Sequence, residues 1–502
     1  MPDLVPVPVT MNLGEGSLVL DTGSTVAGPD SLVTGVVVDA LRSGLGLDLP
    51  PVDGTATIVL ALDDSLGSEG YRLVVDQDGV SLTGGSPAGV FYGVQTLRQL
   101  LPPASIGAPG GPVTLPVLTI DDAPAFGWRG SMVDVGRHFL PLPELRRFID
   151  TLALHKLNVL HLHLTEDQGW RFEVKKWPRL TEVGSRRSET VVGHAHHSTE
   201  YDGIPHGGFY SQGELRELVA YAAERFVRIV PEIDLPGHTQ AARAAYPELG
   251  YDGSHQEVMT TFGVSDHVMR VDEPGIAFAK DVLTELMDVF DSPFIHIGGD
   301  ECPKVEWAAS EIAQQQKDDL GLPDFDALQS WFTGELATFI EDAGRRLVGW
   351  DEILEGGDLP SDVVVMSWRG MEPGIEAANK GLDVVMASTT HTYFDYLQGD
   401  QSTEPPGIGG FLPLETTYAY EPVPAELDEA AAGHIIGVQG QLWTEYMPTP
   451  QQLFYMAFPR LAALAEVGWT YRDRGEFADF RRRLGTHLER LDALGVNYRP
   501  LS

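Results

Sequence analysis

Cysteine is almost missing from this chain. Of 502 residues only Cys302 is one, so no disulfide can form within the chain. That suits a reducing compartment without requiring one. Basic residues are also scarce: 34 Lys and Arg stand against 73 Asp and Glu, a net charge of −39. Phosphate backbones and anionic lipid surfaces need a basic face, so neither nucleic acid nor membrane is an expected partner. Long hydrophobic runs are absent too; none reaches the roughly 18 apolar residues of a membrane span. The opening stretch MPDLVPVPVTMNL (1–13) has no basic start, and its prolines interrupt any apolar segment. It does not read as a signal peptide, and a cytoplasmic location is expected unless a leader has been trimmed. The surplus acid reads as a solvated surface rather than a binding site.

What is present is a core. The chain is 43% hydrophobic, enough to exclude a mostly disordered polymer. The first 120 or so residues carry short apolar runs at 57–62, 71–75 and 79–84, each reading as a strand and separated by Asp and Gly turns. Residues 87–101 follow with Val90, Phe91, Val94, Leu97, Leu100 and Leu101 at helical spacing. A Pro/Gly-rich stretch, 102–112, reads as a surface connection. This suggests a small α+β domain over 1–122 with no catalytic cluster of its own.

From about 124 the style changes. Apolar runs at 130–135, 158–164, 228–234, 294–299, 346–350, 363–368, 383–388 and 435–442 alternate with amphipathic stretches such as 142–156, 213–226, 275–290 and 326–344. Near-continuous apolar strands suit a parallel sheet buried on both faces. Repeated βα units over about 350 residues predict a (β/α)8 barrel across 123–502, ending in a helical tail.

A barrel places its working residues at the C-terminal strand ends. The residues there are Arg137; His161, His163, Glu166 and Asp167; Glu232, Asp234 and His238; His296, Asp300 and Glu301; Trp350 and Asp351; Trp368; His391, Tyr393 and Asp395; and Trp443 and Glu445. Carboxylates can donate and accept protons, an Arg fork can grip adjacent hydroxyls, and aromatic faces can pack on sugar rings. The rim therefore reads as a carbohydrate site. Asp300 and Glu301 are neighbours in sequence. A retaining pair acting as acid and nucleophile lies about 5–5.5 Å apart across the bond, usually on separate strands, so adjacency points instead to the substrate-assisted exception. A metal hydrolase is a second reading, because His161 and His163 share one strand face and His238 and Asp300 could complete a site. The histidines His194, His196 and His197 read as part of a solvated loop.

IHIGGDE (295–301) resembles the signature of glycoside hydrolase family 20, the β-N-acetylhexosaminidases. The similarity runs on, in order, through WRGSMVDVGRHFLP (128–141), NVLHLHLTEDQGW (158–170), PEIDLPGHT (231–239), LVGWD (347–351), HTYFD (391–395), GQLWTE (440–445) and MAFPRLAALAEVGW (456–469). The resemblance implies a retaining exo-enzyme acting on terminal β-linked GlcNAc or GalNAc through an oxazolinium intermediate. Glu301 would be the acid and then the base. Asp300 would hold the 2-acetamido N–H, and Tyr393 its oxygen. Arg137 would grip the 3- and 4-hydroxyls, Glu445 the 4-hydroxyl and Asp395 the 6-hydroxyl. Trp350, Trp368 and Trp443 would wall the pocket. His238 would tune Glu301, supported by Glu166, Asp167 and Asp234.

No metal or other cofactor is called for. The expected partner is an oligosaccharide or glycoconjugate carrying N-acetylhexosamine, and a homodimer is compatible with the sequence. Release of a disaccharide, as by a lacto-N-biosidase, is the alternative within the family. Two departures stand out. Glu166-Asp167 replaces the usual Asp-Asp, and residues 404–422 contain no Trp to stack on a second sugar, leaving Phe411 or Tyr418 as substitutes.

Overall fold

The computed structural model describes residues 1–106, 111–357 and 359–501. The connection expected at 102–112 falls partly on 107–110, outside the described residues. The N-terminal part is a sheet of six strands: β1 Thr10–Leu20, β2 Val26–Ala27, β3 Ile58–Leu62, β4 Tyr71–Val75, β5 Val80–Gly84 and β6 Val113–Asp122. Their spatial order is β1-β6-β4-β5-β3-β2. β4 and β5 bury every second residue, so the sheet has one wet face. The helix Pro87–Gln99 covers the other. Ser86 caps it by accepting from the Ala88 amide at 3.1 Å, and Pro87 suits its first turn.

β1, β2, β6 and the helix Val36–Leu45 were not legible in the sequence. β1 is largely exposed along its length, and its register against β6 shifts between Leu13 and Ser17. A bulged strand of this kind loses the clean alternation that marks a strand. In β6, Pro116 pairs with Ser17 at that irregularity, beyond the end of the β4 pairing, where its missing N–H does little harm.

The second part is a closed parallel barrel. Its strands are β7 Trp128–Asp134, β8 Val159–His163, β9 Arg228–Glu232, β10 Phe294–His296, β11 Arg346–Trp350, β12 Val364–Ser367, β13 Asp383–Met386 and β14 Ile435–Leu442. Each corresponds to one of the eight apolar runs. β7, β8 and β12 are buried at every position, as strands covered on both faces must be. Among the described residues, no helix is long and apolar enough to cross a membrane.

Buried ion pairs join the two parts. Lys156 lies 2.9 Å from Asp122, which also accepts from Tyr71 at 2.6 Å and from the Trp469 indole at 2.9 Å. Arg129 pairs with Glu69 at 2.8 Å. The terminal helix Phe477–Ala493 returns against the N-terminus through Arg483, which bonds Glu466 at 2.6 Å and the Leu4 carbonyl at 2.7 Å. Removing one partner of such a pair strands a charge without water, which costs about 3–5 kcal/mol.

Candidate active site

The turn after β10 is built to deliver two acids. Gly298 and Gly299 have φ of 69° and 99°, and a Cβ on Gly298 would meet an Asp234 oxygen at 1.8 Å. Only glycine fits there. The Gly299 amide donates to that same Asp234 oxygen at 3.1 Å, fixing the turn. Asp300 then points inward and is buried, while the Glu301 side chain is 43% exposed at the pocket mouth. Glu301 itself has φ of 44°, and His238 opposite has 52°. Left-handed backbone in non-glycine residues costs of order 1–3 kcal/mol and concentrates at working sites.

The pocket is a cavity of about 300 Å³. Arg137, Asp300, Glu301, Trp368, Tyr393, Asp395, Trp443 and Glu445 all line it, drawn from the ends of five strands, together with Tyr396 and residues 408–410. The Trp368 and Tyr393 rings stack with centroids 6.1 Å apart. Arg137 lies over Trp443 at 5.0 Å and pairs with Glu166 at 2.9 Å. Trp350, expected in the wall, does not line this cavity. It lies beneath it, 1% exposed, with its ring centroid 5.7 Å from Trp443 and its indole donating to Glu232 at 2.9 Å.

Glu166 holds the supporting layer together. It accepts from His238 at 3.0 Å and His163 at 2.8 Å besides pairing with Arg137. Burial works against its charge, but Arg137 and His238 outweigh it and keep the carboxyl well below the usual range. Its length is what permits this reach. Asp167 is more distant, 3.7 Å from His238, and binds the amide of Gln240 at 2.8 Å. His238 turns its other nitrogen toward the acids, 3.7 Å from Glu301 and 3.8 Å from Asp300. Burial opposes its charge, yet Glu166 and Asp234 hold the imidazole protonated well above its usual range. Burial pushes Asp300 up to about 6, with Glu301 adding and His238 opposing. Burial and the Asp300 charge likewise push Asp234 well up. Asp395 is raised by burial and by Glu445, and Glu445 chiefly by its own burial.

Buried polar atoms without a partner in this region include Asp300 Oδ1, Asp395 Oδ1, Glu445 Oε2, Asp234 Oδ2 and His238 Nε2. Buried polar groups are normally satisfied, so such a cluster marks where ligand atoms belong.

The metal reading meets a different layer. His161, His163 and His296 converge inside the barrel on Glu232: His161 at 2.9 Å, His296 at 3.0 Å, and His163 in close contact. His161, Glu232 and His296 lie close enough to hold a cation, as do Asp234, His238 and Asp300. In the first set Glu232 already accepts from His163 and Trp350, and His296 Nδ1 already accepts from the Gly298 amide. In the second, a protonated His238 offers no lone pair. His194 leaves its solvated loop to approach the Ile408 carbonyl at 3.0 Å and stack on Tyr446 at 5.3 Å. Tyr418 is buried behind the barrel, donating to Glu466 at 3.0 Å, so it cannot serve a second sugar; Phe411 is 63% exposed beside the pocket segment.

The sequence reading overlooked Glu352. It sits one turn beyond Trp350 and accepts from the Trp368 indole at 2.8 Å. Its partner lies sixteen residues further along the chain, after the next strand, so nothing local in the sequence marks it.

A family model described as "Glycosyl hydrolase family 20, catalytic domain" matches residues 126–472, and "Glycosyl hydrolase family 20, domain 2" matches 1–123. This chain belongs to glycosyl hydrolase family 20. A beta-hexosaminidase of Porphyromonas gingivalis is 42% identical over 99% of the chain, which spans 64% of that relative's length. A beta-N-acetylhexosaminidase of Cellulomonas fimi is 34% identical over 99% of the chain and 96% of its own. Among solved structures, the family 20 beta-N-acetylhexosaminidase of Streptomyces coelicolor superposes with a TM-score of 0.87 at 32% identity, covering 100% of this chain and 98% of that one. A mutant Streptomyces plicatus beta-hexosaminidase in complex with product (GlcNAc) also gives 0.87, at 33% identity, covering 100% and 97%.

Proposed function

We propose that the chain is a retaining exo-β-N-acetylhexosaminidase that removes terminal β-linked GlcNAc or GalNAc by substrate-assisted catalysis. The observation that carries this reading is the set of unpartnered buried carboxylate oxygens on Asp300, Asp395 and Glu445 within one aromatic-walled cavity. A pocket of about 300 Å³ is at the lower end of ligand sites and suits one sugar ring better than two, which favours exo-action over disaccharide release. The names of the P. gingivalis, C. fimi and Streptomyces relatives support the same substrate class.

In this reading the sugar enters with its 3- and 4-hydroxyls on Arg137 and Glu445 and its 6-hydroxyl on Asp395. The acetamido group lies against Trp368 and Trp443. Asp300, ionised, accepts the acetamido N–H and turns the amide oxygen toward the anomeric carbon, while Tyr393 donates to that oxygen. Glu301 gives its proton to the leaving oxygen as the amide oxygen forms the new bond. The positive charge of the resulting oxazolinium faces the Asp300 carboxylate in a dry site, where such stabilisation is strongest. Glu301 then takes a proton from water that attacks the anomeric carbon from the face the leaving group vacated. The bond from that carbon to the amide oxygen breaks, the acetamido group is restored, and two inversions leave the configuration retained. His238, fixed by Glu166, keeps a positive charge beside both acids. Preorientation of the internal nucleophile can supply several kcal/mol of the barrier reduction.

The test is hydrolysis of nitrophenyl glycosides of GlcNAc, GalNAc, glucose and lacto-N-biose, with a thiazoline mimic of the cyclised acetamido group as inhibitor. Turnover confined to the first two sugars and tight competitive inhibition are expected. Equal turnover of the glucoside would remove the acetamido nucleophile, and preference for lacto-N-biose would restore the disaccharide alternative.

A further inference from the structure

Trp368 is held twice by the turn that follows β11. Its amide donates to Asp351 at 2.7 Å, and Asp351 also binds the Arg369 amide at 3.0 Å and its side chain at 2.5 Å. Its indole N–H donates to Glu352 at 2.8 Å. The first contact fixes where the residue sits; the second fixes which way the ring faces. A planar ring with a bonded edge cannot turn about its side-chain axis without leaving a buried carboxyl unpaired. That ring is the one stacked on Tyr393 and lining the catalytic cavity.

Glu352 is enclosed, with its side chain 13% exposed. On its far side it borders a second cavity of about 290 Å³, shared with Glu301, Lys304 and Arg369. Arg369 approaches it only to 3.8 Å, and this guanidinium is already engaged by Asp351 and by Glu355 at 2.7 Å. The groups that face Glu352 are Asp351 and Glu355 on its own turn, Asp300, Glu301 and Lys304 after β10, Asp326 across the second cavity, Arg369 after β12 and Tyr393 after β13. Acids predominate, and burial together with Asp300 and Asp351 pushes its carboxyl up to about 8.

We propose that Glu352 is a positioning residue that acts through Trp368, holding the indole as the wall against which the substrate's acetamido group is aligned for attack. This rests on the substrate-assisted reading above. The residue makes no contact with the reacting atoms; it restricts the approach of the internal nucleophile, so its loss appears in kcat more than in KM. As a neutral acid near pH 7 it also spares Asp300 a further buried negative neighbour. Ionisation on the alkaline side places that charge beside the catalytic pair.

The test compares Glu352→Ala, Glu352→Gln and Trp368→Phe on an aryl N-acetylglucosaminide, with melting curves to verify folding. Glu352→Ala is expected to lower kcat by about 10–100-fold with KM changed less than about threefold. Glu352→Gln keeps an acceptor for the indole N–H and is expected to stay within about fivefold of wild type, with the alkaline limb of its pH profile displaced. In the Trp368→Phe background, Glu352→Ala should add less than about twofold, because the two act as one unit. A Glu352→Ala rate within twofold of wild type overturns the proposal. So does a Glu352→Gln variant as slow as Glu352→Ala, or full additivity with Trp368→Phe. Absence of wild-type turnover on N-acetylhexosaminides would instead remove the function reading, and this proposal with it. The two failures are therefore told apart by the wild-type rate alone.

Discussion

Two layers of buried carboxylates lie one above the other in this barrel, and they are opposites. In the lower layer Glu232 takes hydrogen bonds from His163 and the Trp350 indole, with His161 and His296 nitrogens 2.9 and 3.0 Å away, and burial is outweighed by the three imidazoles, which hold its carboxyl well below the usual range. In the upper layer Asp300, Asp395 and Glu445 each keep an oxygen without a partner, and all three carboxyls are pushed up. The same side-chain chemistry is satisfied in one place and withheld in the other. A satisfied layer rigidifies; an unsatisfied one binds. The boundary runs through Glu166, which accepts from His163 of the lower layer and from His238 beside the upper acids.

The comparison breaks most sharply at Glu301. Glu301→Gln should lower turnover of an aryl N-acetylglucosaminide by about 10³–10⁴-fold while product affinity is kept, measured by steady-state kinetics and GlcNAc titration. In the lower layer the effect should fall on stability instead. Glu232→Gln leaves imidazoles without their anion and should cost about 3–5 kcal/mol, read as a lower denaturation midpoint.

Asp300→Asn should do both things in opposite directions. Turnover of N-acetylated substrates should fall by about 10²–10³-fold. Stability should rise, with a definite pH dependence. The Asp300 carboxyl titrates at about 6 in the folded chain against a reference of 3.8, so the native state binds the extra proton. Its contribution is therefore most favourable below 3.8 and is lost as pH rises through about 6. The variant should gain on the order of 2–3 kcal/mol over wild type at pH 7 and almost nothing at pH 3.5, read from melting curves across that range. By the same ionisation, wild-type kcat/KM should decline as pH falls below about 6. The smallest effect belongs outside both layers: Phe411→Ala should change kcat/KM for a monosaccharide aryl glycoside less than about twofold, and a larger loss would extend the site to that exposed ring.

The barrel was legible because its strands are apolar on both faces, so each run stood out without any need for alternation. Its rim was legible because strand ends are where a (β/α)8 barrel exposes chemistry, and Arg137, Asp300, Glu301, Trp368, Tyr393, Asp395, Trp443 and Glu445 do share one cavity. Three things were hidden. β1 was masked by exposure and by a shifted register. The depth of Trp350 could not be read, since a strand-end tryptophan can face the rim or the layer below, and only Glu232 decides which. Glu352 carried no local signal because its partner, Trp368, lies sixteen residues on, after a neighbouring strand.

The left-handed backbone at Glu301 has a consequence for anyone altering this protein. At that position conformation and chemistry vote for different residues: the φ angle favours glycine, and the proposed proton transfer requires a carboxyl. A search for stabilising substitutions guided by backbone preference would choose glycine and erase the enzyme while improving the fold. The proposed acid is thus kept in place against the preference of its own main chain, and thermal stability alone is a misleading guide to which variants of this turn are worth keeping.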